Sequence, residues 1–83
     1  SAMQFTFQEN TLSYEKWGTG SRILLGFHGF GQTRLAFEPL AEVLSQDYTF
    51  YSFDLFFHGK SRWKHKKQPL SKDFWKEMLN AFL

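Results

Sequence analysis

Two short stretches bring together residue types that do chemistry when they stand in one loop. The first is His28-Gly29-Phe30-Gly31, and the second is Asp54-Leu55-Phe56-Phe57-His58-Gly59-Lys60-Ser61. Glycines let the backbone come close to a ligand, and N–H groups left uncovered in such a loop hold an oxyanion. The same glycines equally mark a tight turn. Gly59-Lys60-Ser61 has the ending of a phosphate-binding loop, but that loop needs a glycine where this chain has Asp54. It also needs a helix straight after the serine, and here Arg62-Trp63-Lys64-His65-Lys66-Lys67 runs on towards Pro69. A phosphate-binding loop is therefore excluded. No metal site is expected either, because His58 and His65 have no cysteine in the chain to join them and no acid beside His65. Asp54 reads as a structural hydrogen-bond acceptor, and His28 as a residue that shapes its loop by hydrogen bonding.

The elements that must position these stretches follow from periodicity. Residues 4–8 alternate, with Phe5 and Phe7 on one face, and Thr11 to Trp17 alternate again, with Leu12 and Tyr14 together. Glu9-Asn10 between them predicts a two-residue hairpin turn, since Asn tolerates positive φ. Ile23–Phe27 is a continuous apolar run, the pattern of a strand buried on both faces. Ala36, Leu40, Val43 and Leu44 fall at helical spacing and predict a helix from about Ala36 to Gln46, with Pro39 in its first turn. Tyr48–Asp54 reads as a further buried strand, which makes 22–54 a βαβ unit. Ser71 is a good N-cap, and Phe74, Trp75, Met78, Leu79, Phe82 and Leu83 form a wide apolar stripe behind it. The fold class is α/β: a β-hairpin, a βαβ unit and a last helix. Both glycine-bearing loops then leave strands at the same edge of the sheet, where open α/β sheets bind ligands.

Length and composition set outer limits. The chain has 83 residues, so it is one domain at most, and it has no cysteine to cross-link it. Aromatic residues make up 20% of it, which excludes intrinsic disorder. A net charge of +2 is too mild to imply nucleic acid by itself. No apolar run is long enough for a membrane-spanning helix, and the start has no signal-peptide pattern, so the cytoplasm is the expected location. Ser1-Ala2 ahead of Met3 reads as a protease-cleavage scar followed by the start residue, and residues 1–3 are set apart from the domain at 4–83.

The two loops at this spacing, behind a hairpin, resemble the N-terminal part of the α/β-hydrolase fold family. The likeness runs from about Leu12 to Leu83 and rests on His28-Gly29-Phe30-Gly31 and on Asp54-Leu55-x-x-His58-Gly59-x-Ser61. The chain departs from the pattern at Phe57, where the family has Gly. The resemblance implies a partial α/β-hydrolase sheet in strand order 1-2-4-3 with one helix on each face. It implies a serine-type enzyme that hydrolyses an ester, thioester or C–C bond of a small molecule, with no cofactor. The backbone N–H of Phe30 is then one half of the oxyanion hole, in a loop made by His28, Gly29 and Gly31. The nucleophile of that family sits in a Gly-x-Ser-x-Gly elbow after the next strand. No serine here has glycine on both sides at that spacing, and the three histidines come too early in the chain to be the triad base. This chain is thus expected to supply no nucleophile, acid or base, to end before the nucleophile strand, and to be inactive alone.

The 60–67 stretch carries Lys60, Arg62, Lys64, Lys66 and Lys67 and no acid, with Trp63 among them. A solvated loop is the expected reading; by resemblance it lies near the mouth of the active site, where Lys64, Lys66 and Lys67 tune substrate charge. The alternative is a small non-enzymatic module that binds an anion through this loop, with Trp63 stacking on a base. Nucleic acid is disfavoured as a partner. Ile23–Phe27 is expected at a sheet edge, long and apolar, and pairing with a second copy through that edge or the helix faces predicts a homodimer or larger assembly.

Overall fold

The computed structural model describes residues 2–65 and 68–83. Strands β1 (Met3–Phe7), β2 (Asn10–Trp17), β3 (Arg22–Phe27) and β4 (Tyr48–Phe53) form one sheet in the order β1-β2-β4-β3. β2 pairs antiparallel with both β1 and β4, while β3 and β4 are parallel. Parallel neighbours need a crossover, and here it is a 3-10 turn (Arg34–Phe37) running into α1 (Glu38–Leu44). Helix α2 (Lys72–Phe82) comes after β4. This is the expected α/β architecture and strand order.

Side chains alternate along β4 and so sort the helices to opposite faces. Phe50 meets Phe37 of the crossover, and the Ser52 hydroxyl donates to the Arg34 carbonyl. Tyr51 and Phe53 point the other way and meet Phe82 of α2. On that second face Phe82 also packs edge-on against Phe5 and Tyr14, and Phe74 against Phe7. Leu12, Phe53, Phe56, Trp63 and Met78 are the buried centre of this face. Ser71 caps α2 as its sequence predicts, its hydroxyl accepting from the Phe74 N–H at 3.1 Å.

Three details differ from expectation, each for a tertiary reason. The hairpin turn is Gln8-Glu9, with φ of 49° and 68°, not Glu9-Asn10. Asn10 is fully buried instead, and its side-chain oxygen accepts from the Lys64 N–H at 2.7 Å. The crossover helix starts as a 3-10 turn and carries its buried side at Ala41, leaving Leu40 half exposed and Val43 exposed. β3 is not covered on both faces: as the edge strand it leaves Ile23 56% exposed. Gly26 within it is required by packing, since a Cβ there would lie 2.8 Å from the Phe50 ring.

Candidate functional site

The first glycine-bearing loop begins where β3 ends. The Gln32 N–H donates to the Gly29 carbonyl at 3.1 Å, closing a four-residue turn with Phe30 and Gly31 at its tip. Gly31 takes φ of 81° and Phe30 does not have positive φ, which is the pattern of a type II turn and the reason a glycine stands there. The Gln32 side chain closes the turn a second time, its Oε1 accepting from the Gly29 N–H at 2.9 Å. Among the described residues nothing accepts from the Phe30 N–H. The Phe30 ring is 97% exposed and touches His58 edge-on at 5.8 Å.

Two anchors hold this turn in place. On one side His28, buried, accepts the Leu55 N–H on Nε2 at 2.9 Å. On the other, Asp54 accepts from the Arg34 N–H at 2.6 Å and from the Arg34 guanidinium at 3.1 Å. Asp54 is fully buried, and its carboxylate also takes the Lys60 N–H at 2.8 Å. The Arg34 Nε reaches Glu15 on β2 at 2.8 Å. Burial alone would lower the Arg34 pKa; its bonds to Glu15 and Asp54 outweigh that and hold it above the ordinary value. The buried carboxylates are thus balanced by a guanidinium and by backbone donors.

The rest of the second loop is structural. The Ser61 hydroxyl donates to the Asp54 carbonyl at 2.7 Å and accepts from the Ser13 N–H at 2.8 Å. Gly59 has φ of 53° and faces the Asp54 carboxylate. Phe57 takes φ of 70°, so the left-handed geometry that a glycine adopts freely is kept by a phenylalanine whose ring is 73% exposed. The His58 Nδ1 faces the Phe56 carbonyl at 3.1 Å, a contact it can make only as the donor, and its ring lies 5.0 Å from that of His28.

The expected site residues His28, Gly29, Phe30 and Gly31 therefore come together with the Asp54 loop. Lys64 is elsewhere, at the β1–β2 turn, where its ammonium pairs with Glu9. That hydrogen bond, with the charge of Lys64, lowers the Glu9 pKa. Lys66 and Lys67 lie outside the described residues. Trp63 is not free to stack on a base: it is 8% exposed and packs between Phe56 and Phe74. Among the described residues no cluster of His, Asp or Glu has the makings of a metal site. Among the described residues no helix is long and apolar enough to cross a membrane. Arg34, Gln32 and Glu15 were not singled out by motif. For Arg34 a charge inside an apolar-periodic segment is a usable signal; for Gln32 there is none.

No family model matches the chain, and neither does any curated protein. Solved structures do. A thioesterase domain from the curacin biosynthetic pathway is 30% identical over 75% of this chain and 23% of its own, with a TM-score of 0.67. The Cif epoxide hydrolase from Acinetobacter nosocomialis is 22% identical over 98% of this chain and 25% of its own, with a TM-score of 0.82. An α/β hydrolase fold protein from Burkholderia ambifaria is 18% identical over 98% and 29%, with a TM-score of 0.74. The chain thus spans about a quarter of the length of these structures. Its sheet order, its helix on each face and these likenesses agree: the chain has part of an α/β-hydrolase fold.

Proposed function

We propose that this chain supplies one oxyanion donor, the Phe30 N–H, to a serine-type α/β hydrolase of a small molecule. The observation that carries this reading is an unbonded backbone N–H at the tip of a turn braced at both ends. A donor fixed before the reaction begins is what stabilises charge developing on a carbonyl oxygen. A thioester or ester carbonyl suits it, and the likeness to a thioesterase domain supports that substrate class; C–C bond cleavage uses the same donor. The nucleophile, acid and base come from outside these 83 residues, since the chain has no Gly-x-Ser-x-Gly. No cofactor is needed for this chemistry.

The coding sequence read on from Leu83 supplies the first test, and a Gly-x-Ser-x-Gly within about 30 residues is expected. In the protein that carries it, Phe30→Pro deletes the N–H, and proline fits the second position of a type II turn. The expected kcat falls about 100- to 1000-fold, while Phe30→Ala keeps most of it. A stop codon at Leu83, or equal kcat for the two variants, overturns the reading.

A second reading, self-association, is favoured by the β3 edge. Ile23 is 56% and Phe27 38% exposed there, and the edge continues into an apolar groove of about 250 Å³ lined by Phe27, Leu55, Trp75 and Leu79. Such an edge accepts another strand.

A further inference from the structure

We propose that the Phe57 ring, together with that of Phe30, selects the apolar group of the substrate, so that the hydrolase favours long acyl chains over short ones. The His58 N–H donates to the Leu55 carbonyl at 3.0 Å and closes a turn in which Phe57 is the third residue. Phe57 holds φ of 70° and Phe56 before it does not have positive φ, the pattern of a type II turn, whose third position calls for glycine. The turn at 29–32 has the same form and does place a glycine there, Gly31. A phenylalanine at that position strains the backbone, and strain of this kind gathers where a site is shaped. Its ring adds little packing in exchange, being 73% exposed. The loop has its apolar anchor one residue earlier, where Phe56 is buried against Trp63 and Trp75.

Phe57 adjoins His58, and the His58 ring meets the Phe30 ring edge-on at 5.8 Å. Two exposed rings are thus brought to one histidine, Phe57 through the chain and Phe30 through space, beyond the ends of β4 and β3. The tip of the Phe30 turn is open, since a Cβ on Gly31 would meet nothing within 4 Å. A carbonyl oxygen held on the Phe30 N–H brings its own substituent within a side chain's length of the Phe30 ring. An apolar substituent lying over the rings leaves water, which favours its binding in proportion to the area covered. Neither ring carries a hydrogen-bonding group, so what the pair selects is apolar area. The inference rests on the oxyanion reading and adds to it the acyl part of the substrate.

The test is the acyl-chain preference of the protein that carries Gly-x-Ser-x-Gly, read as the ratio of kcat/KM for p-nitrophenyl octanoate to that for p-nitrophenyl acetate. The wild type is expected to favour octanoate. Phe57→Gly and Phe57→Ala are expected to lower the ratio about tenfold, the worth of about two buried methylenes, mostly through KM on octanoate. Phe57→Trp is expected to keep it. Glycine relieves the strained turn whereas alanine leaves a Cβ in it, so a change shared by both belongs to the lost ring and not to stability. Phe30→Ala, which keeps the N–H, is expected to lower the ratio in the same way. A wild type that favours acetate, or a ratio unchanged in Phe57→Gly, overturns the proposal. So does an unchanged ratio with a lower melting temperature, the result if another part of the protein covers the ring. If Phe57→Ala does not fold, Phe57→Gly and Phe57→Trp decide. Turnover of neither ester overturns the oxyanion reading as well; with turnover in hand, Phe30→Pro reports on the donor alone, so the two readings fail separately.

Discussion

Asp54 stands where a side chain on Gly59 would have to go: a Cβ built on Gly59 falls onto the Asp54 carboxylate. Gly59 also holds φ of 53°. Gly59→Ala therefore meets left-handed strain of about 1–2 kcal/mol together with overpacking of about 1–3 kcal/mol. A loss near 3 kcal/mol in urea unfolding is expected. A midpoint equal to wild type would show that the loop relaxes without cost.

Arg34 is the cation between Glu15 and Asp54, and its removal takes the guanidinium from the fully buried Asp54 carboxylate. Arg34→Met is expected to lose about 3–5 kcal/mol at pH 7. Urea unfolding at pH 7 checks this, and a midpoint equal to wild type would contradict it.

Phe57 holds φ of 70° while its ring is 73% exposed, so little burial offsets the backbone strain. Phe57→Gly is expected to stabilise the fold by about 1 kcal/mol, because glycine adopts this conformation without a Cβ clash. A higher melting temperature is the expected result. A lower one would mean that the exposed ring makes a contact worth more than the strain.

Light scattering at micromolar concentration is expected to find a dimer or larger assembly if the β3 edge pairs with a second copy. Ile23→Lys places a charge on that exposed edge and is expected to shift the population towards monomer. A wild-type monomer would sink the self-association reading.

The strands and the amphipathic α2 were legible because their signals are local or repeat with a fixed period, whereas the strand order came only from the resemblance that the two loops carry. Ser71 and the stripe from Phe74 to Phe82 needed nothing beyond the chain nearby. The Gln8-Glu9 turn was not legible, because what settles it is Asn10 meeting Lys64, a contact between residues far apart in the chain. The face of α1 was misjudged for a related reason: Leu40 and Val43 sit at helical spacing, yet the buried position is Ala41, chosen by how closely the crossover approaches the sheet. Within the site, the glycines and Phe30 announced a tight turn. Gln32 and Arg34, which brace it, belong to no motif.

The bond from Asp54 to Arg34 ties the end of one loop to the root of the other. These positions therefore constrain one another. A change at 54 alters what residue 34 can be, and what residue 59 can be, so substitutions here should travel as sets. Transplanting residues 28–34 into another sheet will carry the turn's shape only if the recipient also brings an aspartate at the neighbouring strand end, with a glycine placed to leave it room.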